Sequence, residues 1–181
     1  QQTLRSHIPK QLLLVGSASY NDDGSTTEGT AEGGRQIVLY SVNDFNFELE
    51  QIQSYAHVMH HEFAHILHQN VEYDAEFEKI TPSYSSSWMQ MNDETARSKG
   101  FITAYAFSSA DEDFAEMVSI MLTNSPEDWD NMIENAGNAA AVEALRKKEA
   151  IVVAYMKNNW GVNMKDFQKE VVAAIEAAVR N

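Results

Sequence analysis

Two short apolar runs near the start of the chain have the pattern of β-strands. Residues 11–15 (QLLLV) and 36–42 (QIVLYSV) are rich in aliphatic, β-branched and aromatic side chains, and a polar stretch with several glycines lies between them. Apolar residues of the second run fall on both faces of an extended chain, so we expect both faces to be covered. The pattern predicts a strand, a loop and a second strand.

A helical pattern follows. Capping-type side chains at Asn43, Asp44 and Asn46 precede it, and the apolar positions of residues 48–68 recur with helical spacing. Residues 71–100 have no clear periodicity and predict a surface segment with one or two helical turns. We therefore predict one long helix followed by an irregular segment.

The second half of the chain has mainly helical patterns. Ser109, with a glutamate three positions later, predicts a helix that ends near Thr123, and Pro126 suits the first position of the next helix. Residues 138–159 and 164–180 are alanine-rich amphipathic segments. Strands early and helices late predict an α+β fold with a small N-terminal sheet and a mostly helical C-terminal part.

Composition narrows the classes of function. The chain has 181 residues, 44% of them hydrophobic, which is enough for a core and predicts a single domain over residues 1–181. A net charge of −14 argues against nucleic acid as a partner, because phosphate binding needs a basic face. No apolar run is long enough to cross a bilayer. The chain has no cysteine, so any metal must be held by histidine and carboxylate.

Histidines are concentrated on the predicted long helix. Residues 61–65 read HEFAH, an HExxH motif that places His61 and His65 one turn apart on one helix face, where both can reach a single zinc ion. Glu62 is rotated off that face, so it can approach a zinc-activated water and take its proton without binding the metal. The motif indicates a catalytic zinc site.

Other histidine pairs stay open from geometry alone. Four histidines share one stripe of the helix: His57, His61, His65 and His68. Each neighbouring pair on the stripe could bind a metal, and only the presence of Glu62 selects His61 and His65. We interpret the remaining histidines of the cluster as supporting or surface residues: His57, His60 and His68.

A catalytic zinc normally has a third protein ligand. The extended motif HExxHxxGxxH is absent, because position 68 is His and position 71 is Val, and the inverted HxxEH motif is absent too. Residues 111–116 (DEDFAE) are the best remaining donors, since Glu112 and Glu116 share one helix face. One carboxylate could bind zinc while the other accepts the Nδ1 proton of a ligand histidine. In the alternative, Glu112 only caps its helix and Glu116 is a solvated charge.

Three segments together resemble a known family. HHEFAHILHQ (60–69), GFITAYAFSSADEDFAEM (100–117) and IPKQLLLVGSASYNDDG (8–24) are similar to zinc-binding metallopeptidases that are common as lipoproteins in gut Bacteroidetes. More distantly, HEFAH followed by EDFAE resembles the core of lethal-factor-type gluzincins. The resemblance spans nearly the whole chain.

The resemblance implies a role for each matching residue. The implied zinc ligands are His61, His65 and Glu112; Glu62 is the implied general base, Glu116 the carboxylate that orients a ligand histidine, and Tyr105 the phenol that steadies the oxyanion. It further implies a zincin-like fold in which residues 36–42 form an edge strand that pairs with an extended peptide substrate. Such domains usually begin with more strands, so we expect this chain to lack the start of its catalytic domain. An extracytoplasmic location, in the periplasm or at the cell surface, is implied too, with membrane attachment only through a lipid anchor upstream.

Three hypotheses of function follow. The leading one is a zinc-dependent peptidase that acts on peptide or protein substrates. An accessory lipoprotein that binds zinc without hydrolysis is the alternative, and a structural zinc, or no metal at all, is the third. Three aromatic residues could line a substrate subsite or belong to the core: Tyr84, Trp88 and Phe101. Neither the cleavage specificity nor the oligomeric state has a signal in the sequence.

Overall fold

Strands occupy the first part of the chain and helices the rest. The structure, a computed structural model, describes residues 9–46 and 48–179. Ile8, which opens one of the family-like segments, and Arg180, the predicted end of the last helix, lie outside the described residues. The described strands are β1 (Gln11–Leu14), β2 (Ser19–Tyr20), β3 (Thr26–Thr27), β4 (Gly29–Glu32) and β5 (Gln36–Leu39).

Strand β5 lies in the middle of a three-stranded sheet of order β1-β5-β4. It runs parallel to β1 and antiparallel to β4, while β2 and β3 form a separate antiparallel pair. Ile37, Val38 and Leu39 are all buried, so the expectation that both faces are covered is confirmed. The prediction that residues 36–42 form an edge strand is wrong, because β5 has a hydrogen-bonded neighbour on each side.

A tight hairpin between β4 and β5 explains why β5 is not an edge strand. Gly33 and Gly34 have φ values of 58° and 65°, and the Arg35 N–H donates to Glu32 O at 3.1 Å, which closes a two-residue turn of the kind that suits hairpins. The turn folds β4 back along β5, so the polar stretch predicted as a loop supplies strands. Strand β4 is therefore the outer strand on that side of the sheet.

Seven α-helices follow in the described residues. They are α1 (Leu49–Asn70), α2 (Glu76–Ile80), α3 (Asp93–Arg97), α4 (Ala110–Thr123), α5 (Pro126–Glu134), α6 (Ala139–Trp160) and α7 (Met164–Val179). Side chains of Ser109, Ser125 and Asn138 accept backbone N–H groups and cap α4, α5 and α6. Gly161, at a φ of 68°, ends α6. The predicted α+β class and the predicted helices are confirmed.

Helix α1 lies between the sheet and the other helices. Val58 and Ile66 on one face pack against Ile37 and Leu39 of β5. The opposite side contacts α4 and α7, where the apolar stripe of α4 enters the main core. The helix with the HExxH motif is therefore held on two sides, which fixes the direction of its histidines.

Residues 71–100 are anchored at several points rather than running freely over the surface. Helices α2 and α3 and a short 3-10 turn, Ser86–Gln90, form here, and Phe77 and Ala96 are fully buried. Phe101 is buried in the core, and the half-buried ring of Tyr84 packs against it, so both contribute to the core. Among the described residues, no helix has the length and apolar character that a membrane crossing requires.

A buried ion pair joins α4 to α6. Lys148 Nζ lies 2.5 Å from Asp113 Oδ2, and neither side chain has any exposed surface. Lys148 also donates to Gly100 O at 2.8 Å and lies 4.1 Å from the centroid of the Phe101 ring, while the Tyr84 hydroxyl donates to Asp113 at 3.0 Å. The pair fastens the start of α4, where the predicted metal ligand Glu112 lies, to the longest C-terminal helix.

Candidate metal centre

Helices α1 and α4 bring three ligand-type atoms together. His61 Nε2 and His65 Nε2 are 3.0 Å apart, and Glu112 Oε2 lies 2.9 Å from the first and 3.2 Å from the second. Bonds of about 2.0–2.1 Å in tetrahedral geometry place zinc ligands roughly 3.3 Å apart, which is only slightly wider than this triangle. The three atoms fit a zinc ion.

The second ring nitrogen of each histidine already has a partner. His61 Nδ1 lies 2.7 Å from Glu116 Oε1, and His65 Nδ1 lies 2.8 Å from His68 Nε2. A carboxylate can only accept, so His61 donates its Nδ1 proton to Glu116. When both rings are neutral and His65 likewise donates from Nδ1 to His68, both Nε2 atoms are acceptors. Three acceptors that converge on one point repel one another unless a cation lies between them. The donor set therefore favours a metal ion.

A second group that could hold a metal shares His61. It consists of His57, His61 and Glu116, with His57 Nε2 3.0 Å and His61 Nδ1 2.7 Å from Glu116 Oε1. A metal there would displace the Nδ1 proton that fixes the His61 ring. The Glu116 carboxylate also accepts the Thr103 hydroxyl at 2.7 Å. We therefore interpret this group as support for the site formed with His65 and Glu112.

Charge interactions are strong at both carboxylates. Burial alone would raise the pKa of Glu112, but hydrogen bonds from His61 and His65 lower it to about 2. Burial likewise opposes the charge on Glu116, and hydrogen bonds from His57 and His61 hold its pKa well below the usual range. Although burial disfavours a charged imidazole, the two carboxylates raise the pKa of His61 to about 10. The cluster attracts positive charge, whether a proton or a metal ion.

Glu62 lies beside the cluster without a place in either group. Its side chain is buried, and burial is the main reason that its pKa is raised. Strand β4 passes very close: a Cβ at Gly29 would lie 2.8 Å from both Glu62 Cγ and Val58 Cγ1. Only glycine allows this approach, which holds the carboxylate against the strand and facing the same cleft as His61.

A cleft of about 320 Å³ opens beside the cluster, and His57, His61, Glu62 and Glu116 line it. Its lining includes strand β3 and Gly29 of β4, together with the aromatic side chains of Trp88 and Tyr105. The Tyr105 ring lies 4.9 Å from the Trp88 ring and 5.8 Å from the His61 ring. Burial and the negative charge of Glu112 raise the pKa of Tyr105, so its phenol keeps its proton and can donate a hydrogen bond.

The structure brings together His61, His65, Glu112 and Glu116. Glu62 and Tyr105 line the cleft that His61 and Glu116 also line. The alternative in which Glu116 is a solvated charge is wrong, because its side chain is 3% exposed. Ser109 does accept the Glu112 N–H as a cap, which leaves the Glu112 side chain free to face the histidines.

Sequence reasoning missed one residue of the site and left others unresolved. Thr103 was not given a role, because it lies in an irregular part of the family-like segment 100–117 and has no periodic or ligand-type spacing to the other site residues. His57 and His68 each contact the cluster, as a supporting role predicts, whereas His60 donates to Ala56 O and packs on Phe167. Of the three candidate subsite aromatics, only Trp88 lines the cleft.

Comparison with known families decides the relationship. Residues 1–165 match the family described as "putative zinc-binding metallo-peptidase". The chain belongs to this family. A crystal structure of a "putative zinc-binding metallo-peptidase" from Bacteroides caccae ATCC 43185 is 34% identical, with a TM-score of 0.80, and the match covers 99% of this chain and 70% of that one. A comparison with curated proteins finds no match.

Family membership confirms two predictions. The resemblance to zinc-binding metallopeptidases is confirmed by both matches. Zinc as the cofactor is confirmed too, since the family is described as zinc-binding and the chain holds His/His/Glu groups that could bind a metal ion. The family thus fixes the metal and the broad class of protein.

Proposed function

We propose that the protein is a zinc-dependent peptidase that hydrolyses peptide bonds, with His61, His65 and Glu112 as the metal ligands. The observation that carries this proposal is the convergence of His61 Nε2, His65 Nε2 and Glu112 Oε2 within 3.2 Å of one another. His61 also lines a cleft together with Glu62. Membership of a zinc-binding metallopeptidase family supports the same conclusion at a coarser level.

Glu62 serves as the general base. Zinc, when bound, supplies a Lewis acid that polarises the scissile carbonyl and lowers the pKa of a water. Burial raises the pKa of Glu62, which brings the carboxylate closer to the pH at which it must accept and later release a proton. Glu62 takes the proton of the attacking water and then delivers it to the leaving amine.

Tyr105 stabilises the negative charge that develops on the carbonyl oxygen. Its raised pKa keeps the phenol protonated, and its ring lies across the cleft beside Trp88. A donor fixed before the reaction stabilises the transition state without reorganisation. Glu116 and His68 orient the two ligand histidines through their Nδ1 atoms.

The substrate pairs as an extended chain with β4. This strand lies at the outer side of the sheet and packs along α1, and Gly29 lines the cleft beside Glu62. Strand addition supplies backbone hydrogen bonds to any peptide sequence. We therefore assign to β4 the pairing with an extended peptide that the family resemblance implied for residues 36–42.

The accessory lipoprotein without hydrolysis is the weaker candidate. Residues 71–100 do not fill the cleft, since only Trp88 of that segment lines it, and Glu62 has no evident structural use there. A protein that only bound zinc would not need a buried base beside the metal. The lipid anchor and the extracytoplasmic location stay predictions from the family resemblance.

The test compares wild type with Glu62→Gln. The purified zinc-loaded protein is incubated with a broad peptide library, and cleavage is followed by mass spectrometry. We expect cleavage by wild type and a loss of at least about 100-fold in Glu62→Gln, within the range for a general base. Glu50→Gln, an exposed glutamate in the first turn of the same helix, is the matched control and should cleave normally. Absence of cleavage by wild type, or equal cleavage by Glu62→Gln, overturns the proposal.

A further inference from the structure

Glu116 is the centre of a buried hydrogen-bond network. Its Oε1 atom lies 2.7 Å from His61 Nδ1 and 3.0 Å from His57 Nε2, and its Oε2 atom accepts the Thr103 hydroxyl at 2.7 Å. Both of its oxygens therefore have partners, as a buried carboxylate requires. Two of the partners come from α1, and the third comes from the irregular segment before α4.

The Thr103 hydroxyl makes a second hydrogen bond in the opposite direction. It accepts the backbone N–H of Ala106 at 3.1 Å while it donates to Glu116. Ala106 lies in the short 3-10 turn Tyr105–Phe107, directly after the proposed oxyanion residue. A continuous path thus runs from the ring of His61 through Glu116 and Thr103 to the backbone that carries the Tyr105 phenol.

We propose that Thr103 is a positioning residue that couples the metal ligand His61 to Tyr105. Its hydroxyl fixes the Glu116 carboxylate with Oε1 turned toward His61, and the same oxygen fixes the turn that aims the Tyr105 phenol into the cleft. Without the hydroxyl, Glu116 Oε2 and the Ala106 N–H both lose their partner in a buried site, which allows the carboxylate and the turn to move independently. The catalytic half of this inference rests on the proposed peptidase function, while the effect on the His61 ring does not.

A purely structural threonine would give a different outcome, and the chain offers a matched control. Thr123 is buried at the far end of α4, and its hydroxyl donates to Ser119 O at 2.8 Å. Thr123→Val therefore removes one buried hydroxyl and its hydrogen bond to Ser119 away from the metal site, whereas Thr103→Val removes one buried hydroxyl and two hydrogen bonds. Thr103→Ser keeps the hydroxyl and serves as the rescue variant.

The experiment measures zinc affinity by competition with a chelator, together with kcat and KM for a cleaved peptide. For Thr103→Val we expect zinc affinity to fall about 10- to 100-fold, the usual effect of removing an outer partner of a metal ligand. We expect kcat to fall in the same range with KM nearly unchanged, because Tyr105 acts on the transition state. Thr103→Ser and Thr123→Val should keep affinity and kcat close to wild type.

Equal zinc affinity in Thr103→Val and Thr123→Val overturns the inference. If Thr103→Val does not fold, Thr103→Ala replaces it, and equal affinity of Thr103→Ala and Thr103→Ser then overturns it. If wild type cleaves no peptide, the peptidase proposal fails, but the zinc comparison still decides whether Thr103 positions His61. The two failures are thus distinguishable.

Discussion

The contacts of the buried Lys148–Asp113 pair predict how much removing the Lys148 ammonium lowers the free energy of unfolding. Lys148→Met keeps most of the aliphatic stem but removes the ammonium, which contacts Asp113, Gly100 O and the Phe101 ring. Asp113 Oδ1 already lacks a hydrogen-bond partner, so the variant leaves a fully buried carboxylate with the Tyr84 hydroxyl as its main support. Removing one member of a buried pair typically destabilises by about 3–5 kcal/mol.

The loss of stability in Lys148→Met should depend on pH, and the pKa of Asp113 determines whether it is larger at high or at low pH. Even beside Lys148, burial raises the pKa of Asp113 to about 6. Removing the cation raises the pKa of Asp113 in the folded protein further above its value in the unfolded chain. Protonation of Asp113 therefore stabilises the folded state of the variant. The destabilisation should therefore be largest at pH 8 and smaller at pH 5.5, where the folded variant holds the proton.

The assay is urea unfolding of the metal-free protein, followed by tryptophan fluorescence at both pH values. Differences between variant and wild type are compared at each pH, so that groups common to both cancel. The double variant Lys148→Met/Asp113→Leu removes both charges and should recover most of the lost free energy of unfolding. Lys147→Met, which removes an exposed cation from the same helix, is the control and should change little. A loss below about 1 kcal/mol at pH 8, or a double variant as unstable as the single one, contradicts the reasoning.

Two further predictions concern the metal. Zinc binding at pH 7.5 should release about one proton, because the two carboxylates raise the pKa of His61 to about 10 and the metal must displace that proton; the release should vanish as the pH rises above 10. Calorimetry in two buffers of different ionisation enthalpy measures it, and binding without proton release contradicts the protonated state of His61. His68→Leu should weaken zinc binding about 10- to 100-fold, since His65 Nδ1 loses its partner at 2.8 Å. Chelator competition tests this against His60→Leu, which should bind zinc normally because His60 contacts neither metal-type group.

Local patterns predicted the helices and the side chains that meet at the proposed metal site. The helix around His61 and the helix that begins after Ser109 carry strong periodicity and caps, which act within a few residues. The spacing of Glu112 and Glu116 places both on one helix face, and the structure turns that face toward α1. Periodicity therefore found the side chains that meet.

Features that depend on contacts distant in sequence were predicted poorly. The apolar pattern of β5 correctly indicated two covered faces, which is typical of a central strand and conflicts with the edge role implied by the resemblance. The deciding neighbour, β4, lies in a polar stretch whose strand depends on the turn at Gly33 and Gly34. The role of Thr103 was not predicted from sequence for a similar reason, since it depends on a hydrogen bond to a carboxylate thirteen positions away.

The proposed ligands lie far apart along the chain, which gives the metal a second consequence. His65 and Glu112 are separated by 47 positions, so a zinc ion held by both acts as a cross-link that closes a long loop through α2 and α3. The chain-entropy relation used for disulfides gives about 4 kcal/mol for a loop of this size. A metal-loaded molecule nicked between α1 and α4 would keep its two pieces joined at the metal. Zinc supply would then set how long the protein survives as well as whether it reacts.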